Sequence, residues 1–459
     1  MKFSIRLWCA VVFALGSVGQ VAGQWSPPIN VTRVTEGGAG EPSLAVDSSG
    51  TLHASWTHGN GSPAREWIEY GYKTMSMDTW SLPQHVTRDS FVGLSSVIVI
   101  GPGRVPCVVW QSYLSAGHLF ISRKCGDTWS IPQRLTSCNR LGESIRGTAD
   151  RSGRIHVVWH EANLRNIWHA VYEDTSWALA ETIVHDSTGW PGIGAPDVKT
   201  DFSDFAHVVY SNNNGGVSYM HQTPTGWTEP NNVTGSAFTS SGPRLALDDA
   251  DRPQVIWLEA GSPFFSSWTG DSWTTITMLD PGISPPPSLC MDLWSRVHAF
   301  YSPSNLLERV RDRSLWQDPI LVDSSEGYAD VLVARERVHA IVLRGYGSPG
   351  SSDLWYTYRH LDPPAILEAQ RSDVRLAVLP CLCPVIPRTE VDFEISRPSD
   401  VVADVLDTTG RCLRQVSLGQ LDAGRHTVRP HTWLPGKGIF FLRLRAGSNT
   451  REIKLVRED

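Results

Sequence analysis

A chain of 459 residues is long enough for one large domain and a smaller one. Charged residues make up 19% and the formal net charge is -7, which argues against a nucleic-acid partner, since a phosphate-binding surface needs a basic excess. Trp, at 19 residues, outnumbers Phe at 13 and Tyr at 11, a content suited to packing between sheets and to stacking on sugar rings.

Lys2 and Arg6 lead into an apolar run from Leu7 to Leu15, and Val21-Ala22-Gly23 offers a small-residue cleavage site. Residues 1–23 therefore read as an export signal, with the mature protein beginning near Gln24. The apolar run is too short to span a bilayer, and no later stretch approaches spanning length. Removing Cys9 with the signal leaves seven of the eight cysteines, an odd number, so at least one thiol is left over. Cys107 and Cys125 fall on neighbouring strands and are placed to pair. Cys381-Leu382-Cys383 has no second pair and no nearby His, so no metal site and no cofactor are expected.

From residue 24 onward one phrase recurs seven times. Its clearest copies are Asp47-Ser48-Ser49-Gly50-Thr51-Leu52-His53-Ala54-Ser55-Trp56 and Asp150-Arg151-Ser152-Gly153-Arg154-Ile155-His156-Val157-Val158-Trp159. Looser copies end at Trp110, Tyr210, Trp257, Tyr301 and Val342. Asp-x-x-Gly is turn chemistry between two strands. An aromatic alternating strand follows, as in Ile167 to Tyr172, and then a segment opening with Trp, such as Trp80-Ser81-Leu82-Pro83 or Trp129-Ser130-Ile131-Pro132. Proline there suits an outer strand, whose missing N–H breaks no ladder.

Four antiparallel strands per copy describe a propeller blade, so the expected fold class is all-β, with a seven-bladed β-propeller. The seventh copy ends at Leu361 without its Trp segment. Trp25-Ser26-Pro27-Pro28-Ile29-Asn30-Val31-Thr32 matches the missing piece, so the N-terminal strand is expected to pair beside Leu354–Tyr358 and close the ring. The recurring His53, His156, His207, His298 and His339 and the outer Trp residues read as packing elements first.

The repeats resemble the sialidase-like, BNR-repeat propellers of secreted bacterial proteins. Their Asp-box, Ser-x-Asp-x-Gly-x-Thr-Trp, is approached by Ser122-Arg123-Lys124-Cys125-Gly126-Asp127-Thr128-Trp129, with Lys124 in place of the Asp. The resemblance covers residues 24–361 and implies a fold. Sialidase chemistry does not carry over, because no Arg-Ile-Pro start is present and the copies number seven rather than six.

The tail resembles the C-terminal sorting domain of the type IX secretion system. It carries Val405-Leu406-Asp407-Thr408-Thr409-Gly410-Arg411, then Ala423-Gly424-Arg425-His426, then Leu434 to Leu444, and closes on Lys454-Leu455-Val456. The usual Asn-Pro before the first strand is absent, and Cys383-Pro384 stands there. The expected organisation is thus an export signal at 1–23, the propeller at 24–361, a Pro-bounded linker at 362–387 and a small C-terminal β-sandwich at 388–459. The resemblance implies the secretion machinery as a partner and a secreted or outer-surface location.

In a propeller the first strands line a central channel. The residues opening them align as Ser43, Ser96, Arg146, Asp197, Arg244, Ser288 and Asp330, a polar collar with Arg146 and Arg244 flanking Asp197. Arginine supplies forked donors for an anionic or polar ligand. The same groups also suit salt bridges that merely satisfy a solvated channel. Loops over the same face are expected to carry Trp67 beside Arg65 and Glu66, Glu143, His160 with Glu161, Trp190 between Gly189 and Pro191, and Tyr346. Trp190 is placed to stack on a sugar ring. The leading expectation is a secreted or cell-surface protein that binds an extracellular glycan or surface protein. The alternative is a carbohydrate-active enzyme, a glycoside hydrolase or polysaccharide lyase, drawing on Glu143, Asp197 and Glu161. A structural surface-layer or adhesion component is a third reading.

Overall fold

The computed structural model describes residues 24–33, 37–59, 66–87, 93–112, 118–135, 142–161, 166–173, 176–178, 180–185, 194–212, 214–234, 240–345, 352–361, 376–378, 391–395, 398–408, 411–446 and 449–457. The export signal lies outside them, as do Arg65, Trp190 and Tyr346. No described helix is long and apolar enough to cross a membrane.

Among the described residues between Ile29 and His360, the strands form seven antiparallel sheets of four or five strands each. Their first strands are Gly38–Val46, Gly93–Gly101, Gly142–Ala149, Gly194–Thr200, Ser240–Leu247, Ser288–Met291 and Gly327–Ala334. These seven strands pack against one another in chain order, and the last returns to the first. The arrangement is all-β and propeller-like. The residues that end each repeat, Trp56, Trp110, Trp159, Tyr210, Trp257, Tyr301 and Val342, are at most 3% exposed. Each buried aromatic of this size contributes about 1.5–3 kcal/mol or more of hydrophobic stabilisation.

The N-terminal segment pairs where its sequence says it should. Ile29 lies opposite Tyr356 and Asn30 opposite Trp355. Ser26 N donates to Tyr358 O and Val31 N to Leu354 O, both at 2.8 Å.

A relay recurs inside the sheets. The turn aspartate spends Oδ1 on its own turn: Asp47 accepts Thr51 N at 2.8 Å, Asp150 accepts Arg154 N at 2.8 Å, and Asp292 accepts Arg296 N at 2.8 Å. Its Oδ2 meets the repeat histidine, at 3.4 Å for His53, 3.3 Å for His156 and His207, and 3.1 Å for His298. The other ring nitrogen reaches the third strand, at Tyr70, His169, Tyr219, Glu308 or Tyr356, within 2.6–3.1 Å.

The outer Trp of the following sheet then covers that third-strand position. Trp129 on Tyr70, Trp227 on His169, Trp273 on Tyr219, Trp316 on Phe265 and Trp80 on Tyr356 meet edge-on at 5.0–5.7 Å. Trp25 occupies the same place against the sixth sheet, edge-on to Phe300 at 5.8 Å. The repeated histidines and tryptophans therefore join strands and sheets, as expected of packing elements.

The C-terminal part holds a three-stranded sheet and a four-stranded sheet. Val391, Phe393, Val401, Val405, Leu442 and Leu444 are buried together in one core. The strand Leu376–Val378 pairs with Val391–Ile395, so part of the expected linker belongs to this unit. Three residues, Leu376-Ala377-Val378, are too short a run to be read as a strand from sequence.

Cys107 and Cys125 are both free thiols, contrary to the expected pairing. Cys107 lies opposite Arg123, so Cys125 is its diagonal neighbour. Diagonal Cα separations are about 7–8 Å, beyond the usual span of a disulfide. Cys107 is buried in the core, and Cys125 is exposed.

Candidate functional site

Five of the seven first strands share one local distortion; Ser288–Met291 and Gly327–Ala334 pair without it. Register slips between Gly40 and Ser43, Gly93 and Ser96, Glu143 and Arg146, Gly194 and Asp197, and Ser241 and Arg244. These are β-bulges, which re-aim the side chain that follows. The extra residue takes positive φ at Glu41 (45°), Ser144 (59°), Ala195 (44°) and Gly242 (56°). Pro42, Pro196 and Pro243 come next, where a missing N–H costs no ladder bond.

Just beyond the bulges, Ser43, Ser96, Arg146, Asp197, Arg244, Ser288 and Asp330 all line one cavity of about 300 Å³. That volume lies at the low end of small-molecule sites. All seven residues aligned from the repeat thus converge.

Five of them stitch one sheet to the next, Ser96 through its hydroxyl 3.0 Å from that of Ser55. Ser43 Oγ accepts Ile98 N at 3.2 Å, Asp197 Oδ2 accepts Leu245 N at 2.8 Å, and Asp330 Oδ2 accepts Leu44 N at 2.7 Å. Ser288 Oγ donates to Ala329 O. Asp197 also accepts its neighbour Val198 N at 3.0 Å on Oδ1. Burial raises the Asp330 carboxyl above its ordinary range, against the Leu44 N–H and the pull of Arg146, Lys199 and Arg244.

The arginines are spent differently. Arg146 donates to Ile145 O at 2.8 Å. Arg244 donates to Pro243 O and to Tyr328 Oη, both at 3.4 Å. Its guanidinium also lies 6.0 Å from the Tyr328 ring, so it reaches past the sixth sheet to the seventh. Burial works against the Arg146 charge, but Tyr328, Asp197, Asp330 and Glu41 outweigh it and raise the pKa. Among the described residues, no carboxylate lies within ion-pair distance of Arg146, Lys199 or Arg244.

Lys199, Tyr328 and Glu41 also line the cavity and were not among the expected site residues. Strand alternation is the signal for two of them. Lys199 follows Asp197 by two, and Tyr328 precedes Asp330 by two, so each shares its partner's face.

Among the described side chains, Glu161, His160 and Trp67 do not line this cavity. Glu161 is 2% exposed and accepts Trp168 Nε1 at 2.8 Å, so it faces neither solvent nor the channel, contrary to expectation. The strand Ile155–Glu161 runs two residues past Trp159, and alternation puts Glu161 on the buried face of Ile155, Val157 and Trp159. His160 is half-buried near Gly194, where an added Cβ would stand 3.6 Å from its Nδ1. The Glu143 backbone pairs with His160, and its side chain is outside the described atoms. Trp67 is not an open loop platform either. It stacks on His58 at 4.6 Å and donates to Glu69 Oε1 at 3.2 Å, because the strand Glu66–Lys73 already includes it. Trp190 lies outside the described residues. Of the trio Glu143, Asp197 and Glu161, Asp197 lines the cavity and Glu161 does not. Among the described residues, no cluster of His, Cys, Asp and Glu is arranged to hold a metal ion.

No family model matches the chain. No curated protein sequence matches it either. Solved structures do resemble it. A polysaccharide lyase of the ulvan lyase family PL25 aligns at TM-score 0.54 and 11% identity over 72% of this chain and 95% of that one. The same enzyme is known bound to a glucuronate–sulfated rhamnose unit. A fungal alcohol oxidase of the AA5 family, in complex with copper, aligns at TM-score 0.54 and 10% identity over 95% and 100% of the two chains. A leech intramolecular trans-sialidase is a looser likeness, at TM-score 0.38 and 11% identity over 66% and 64%. At these identities the likeness concerns the fold alone.

Proposed function

We propose that this chain is an exported seven-bladed β-propeller, closed by its N-terminal strand, that binds an extracellular glycan at the mouth of its central channel. The observation that carries the reading is the convergence of seven strand-opening residues, one from each sheet, on a single cavity. Blade count and closure are supported by the seven sheets and by the pairing of Ile29 with Tyr356. A structure of similar fold that holds an acidic disaccharide supports a sugar as the ligand class.

Binding is favoured over turnover by the state of the acids. Asp197 has both oxygens on backbone donors, and Glu161 is buried against Trp168. A general acid and base need free carboxyl groups facing the same bond. Glycan-array binding by the full chain, followed by a reducing-end and unsaturated-end assay on every hit, tests both readings. Binding without new ends is expected. Turnover abolished by Asp197→Asn or Glu161→Gln would establish the enzyme reading instead.

Residues 388–459 act, in this proposal, as a secretion sorting domain of the type IX kind. The two-sheet core around Phe393 and Leu442 and the Gly-Arg and Lys-Leu-Val segments support it. Export in a type IX-competent bacterium should stop at the periplasm when residues 388–459 are removed. Unchanged surface or medium yield would reject the assignment.

A further inference from the structure

The cavity holds two layers of positive charge. Arg146 and Arg244 stand at the collar, while Lys199 follows Asp197 by two residues on the same strand. Two residues of strand advance the chain by about 6–7 Å, so the Lys199 Cα lies that much further along the channel wall. All three cations line the one cavity, and each favours the charged form of the Asp330 carboxyl. Formal charge alone would cancel, because Glu41, Asp197 and Asp330 line the same space.

The partners break that symmetry. Asp197 gives its oxygens to Val198 N and Leu245 N, and Asp330 gives Oδ2 to Leu44 N. Burial further favours the neutral form of Asp330. Glu41 is exposed at the rim. A guanidinium carries five N–H donors, of which Arg146 uses one on Ile145 O. Arg244 turns two contacts to Pro243 O and the Tyr328 hydroxyl. Both Asp197 oxygens and one Asp330 oxygen are occupied, Glu41 faces solvent, and most of the cationic donors are open.

Resting on the glycan reading, we infer that the ligand presents a compact oxyanion, a sulfate ester or a uronate carboxylate, which seats between Arg146, Arg244 and Lys199. Forked guanidinium donors match two oxygens of such a group. A neutral sugar would leave the same cations desolvated and unpaired, which costs affinity. Tyr328 Oη, already bonded to Arg244, fixes that side chain across the opening.

The test uses the full chain at constant ionic strength. A chondroitin sulfate hexasaccharide and the neutral cellohexaose are titrated by calorimetry, with inorganic sulfate and glucuronate as competitors and as ligands in thermal unfolding. The sulfated sugar should bind at least about 10-fold more tightly than the neutral one, and sulfate should compete. Arg146→Gln, Arg244→Gln and Lys199→Gln should each weaken it by about 10- to 100-fold, the usual worth of a charged hydrogen bond. Equal binding of the neutral sugar, or affinity unchanged in all three variants, would overturn the inference and leave the glycan reading intact. If sulfate raises the unfolding midpoint of the native chain but not of the Arg146→Gln/Arg244→Gln double variant, and no oligosaccharide binds, the anion site stands and the glycan reading falls. If neither sulfate nor sugar has an effect, both fail. Should a variant misfold, sulfate competition on the native chain decides alone.

Discussion

Trp25 donates its indole N–H to Glu308 Oε2 at 3.1 Å, across 283 residues of sequence. Glu308 stands where most other sheets place an aromatic or His beneath the neighbouring Trp, and it is fully buried. Four nitrogen atoms from three side chains surround it. His298 Nδ1 lies 2.6 Å away, Arg359 donates through Nε at 2.8 Å and Nη2 at 2.6 Å, and Trp25 completes the set. The contact between the sixth and seventh sheets is thus polar and charged at its centre, with Phe300, Leu306 and Leu361 around it.

Removing the latch should cost as much as removing an ordinary joint. Trp25→Ala and Trp129→Ala are each expected to destabilise by about 3–5 kcal/mol, the range for large aromatic truncations in a core. Urea denaturation of both variants checks this. A Trp25→Ala loss below about 1 kcal/mol, on the scale of a surface change, would mean that the N-terminal segment adds little to the ring.

Breaking the buried charge set should be worse than trimming it. Glu308→Gln leaves Arg359 and His298 without their shared carboxylate, and unpaired buried charge costs about 3–5 kcal/mol. Glu308→Gln combined with Arg359→Met should recover part of that loss. A double variant no more stable than the single one would contradict the pairing.

The pH response follows from the same cluster. Burial would raise Asp292 and Glu308, but the hydrogen bonds and charge of His298, with Arg296 and Arg359, hold both below the ordinary carboxylate range. Their stabilisation is present above the unfolded pKa and is lost as pH falls through the native values. Burial would lower His298, yet Asp292 and Glu308 raise it above 6.5. Its stabilisation is full below 6.5 and is lost as pH rises through the raised value. The unfolding midpoint should therefore fall on both sides, and His298→Gln should flatten the alkaline side.

Two histidines at one repeat position should differ in charge. His339, whose Nδ1 meets the Tyr356 hydroxyl rather than a carboxylate, is pushed down to about 4 by burial. Nitrogen NMR at about pH 6 should show His298 as imidazolium and His339 as neutral imidazole. Identical titration of the two would refute the role given to Glu308.

Thiol chemistry gives a separate check. Cys125 and Cys412 are exposed, whereas burial raises the Cys107 thiol to about 11 and Cys290 well above its usual range. Iodoacetamide on the native chain should label Cys125 and Cys412 and spare Cys107 and Cys290 until denaturant is added. A Cys107–Cys125 crosslink in non-reducing peptide maps would contradict the strand register.

Much of this was legible in the sequence because the repeat carries its own geometry. Asp47 to His53 spans one turn and the start of one strand, a spacing that only a hairpin satisfies, so the strand pairings could be read locally. The collar was legible for the same reason, since alignment of seven copies places Arg146 and Asp197 at one strand position. What escaped was set by strand ends. Taking Trp159 as the last strand residue turned Glu161 outward, although alternation from Val157 already put it inside. Lys199 is not marked by the repeat, which aligns only the residue that opens each strand, while the cavity lining continues two residues further.

The bulges beneath the collar have an evolutionary consequence. Glu41, Ser144, Ala195 and Gly242 absorb the backbone distortion, so the residue two places later is aimed inward by main-chain geometry rather than by its own chemistry. Ser, Arg and Asp already occupy that station in different sheets. At Arg146 and Arg244, which hold no main-chain N–H of the next sheet, a mutation can exchange one functional group for another without disturbing the hydrophobic layers behind it, so ligand preference can drift there while the scaffold stays put.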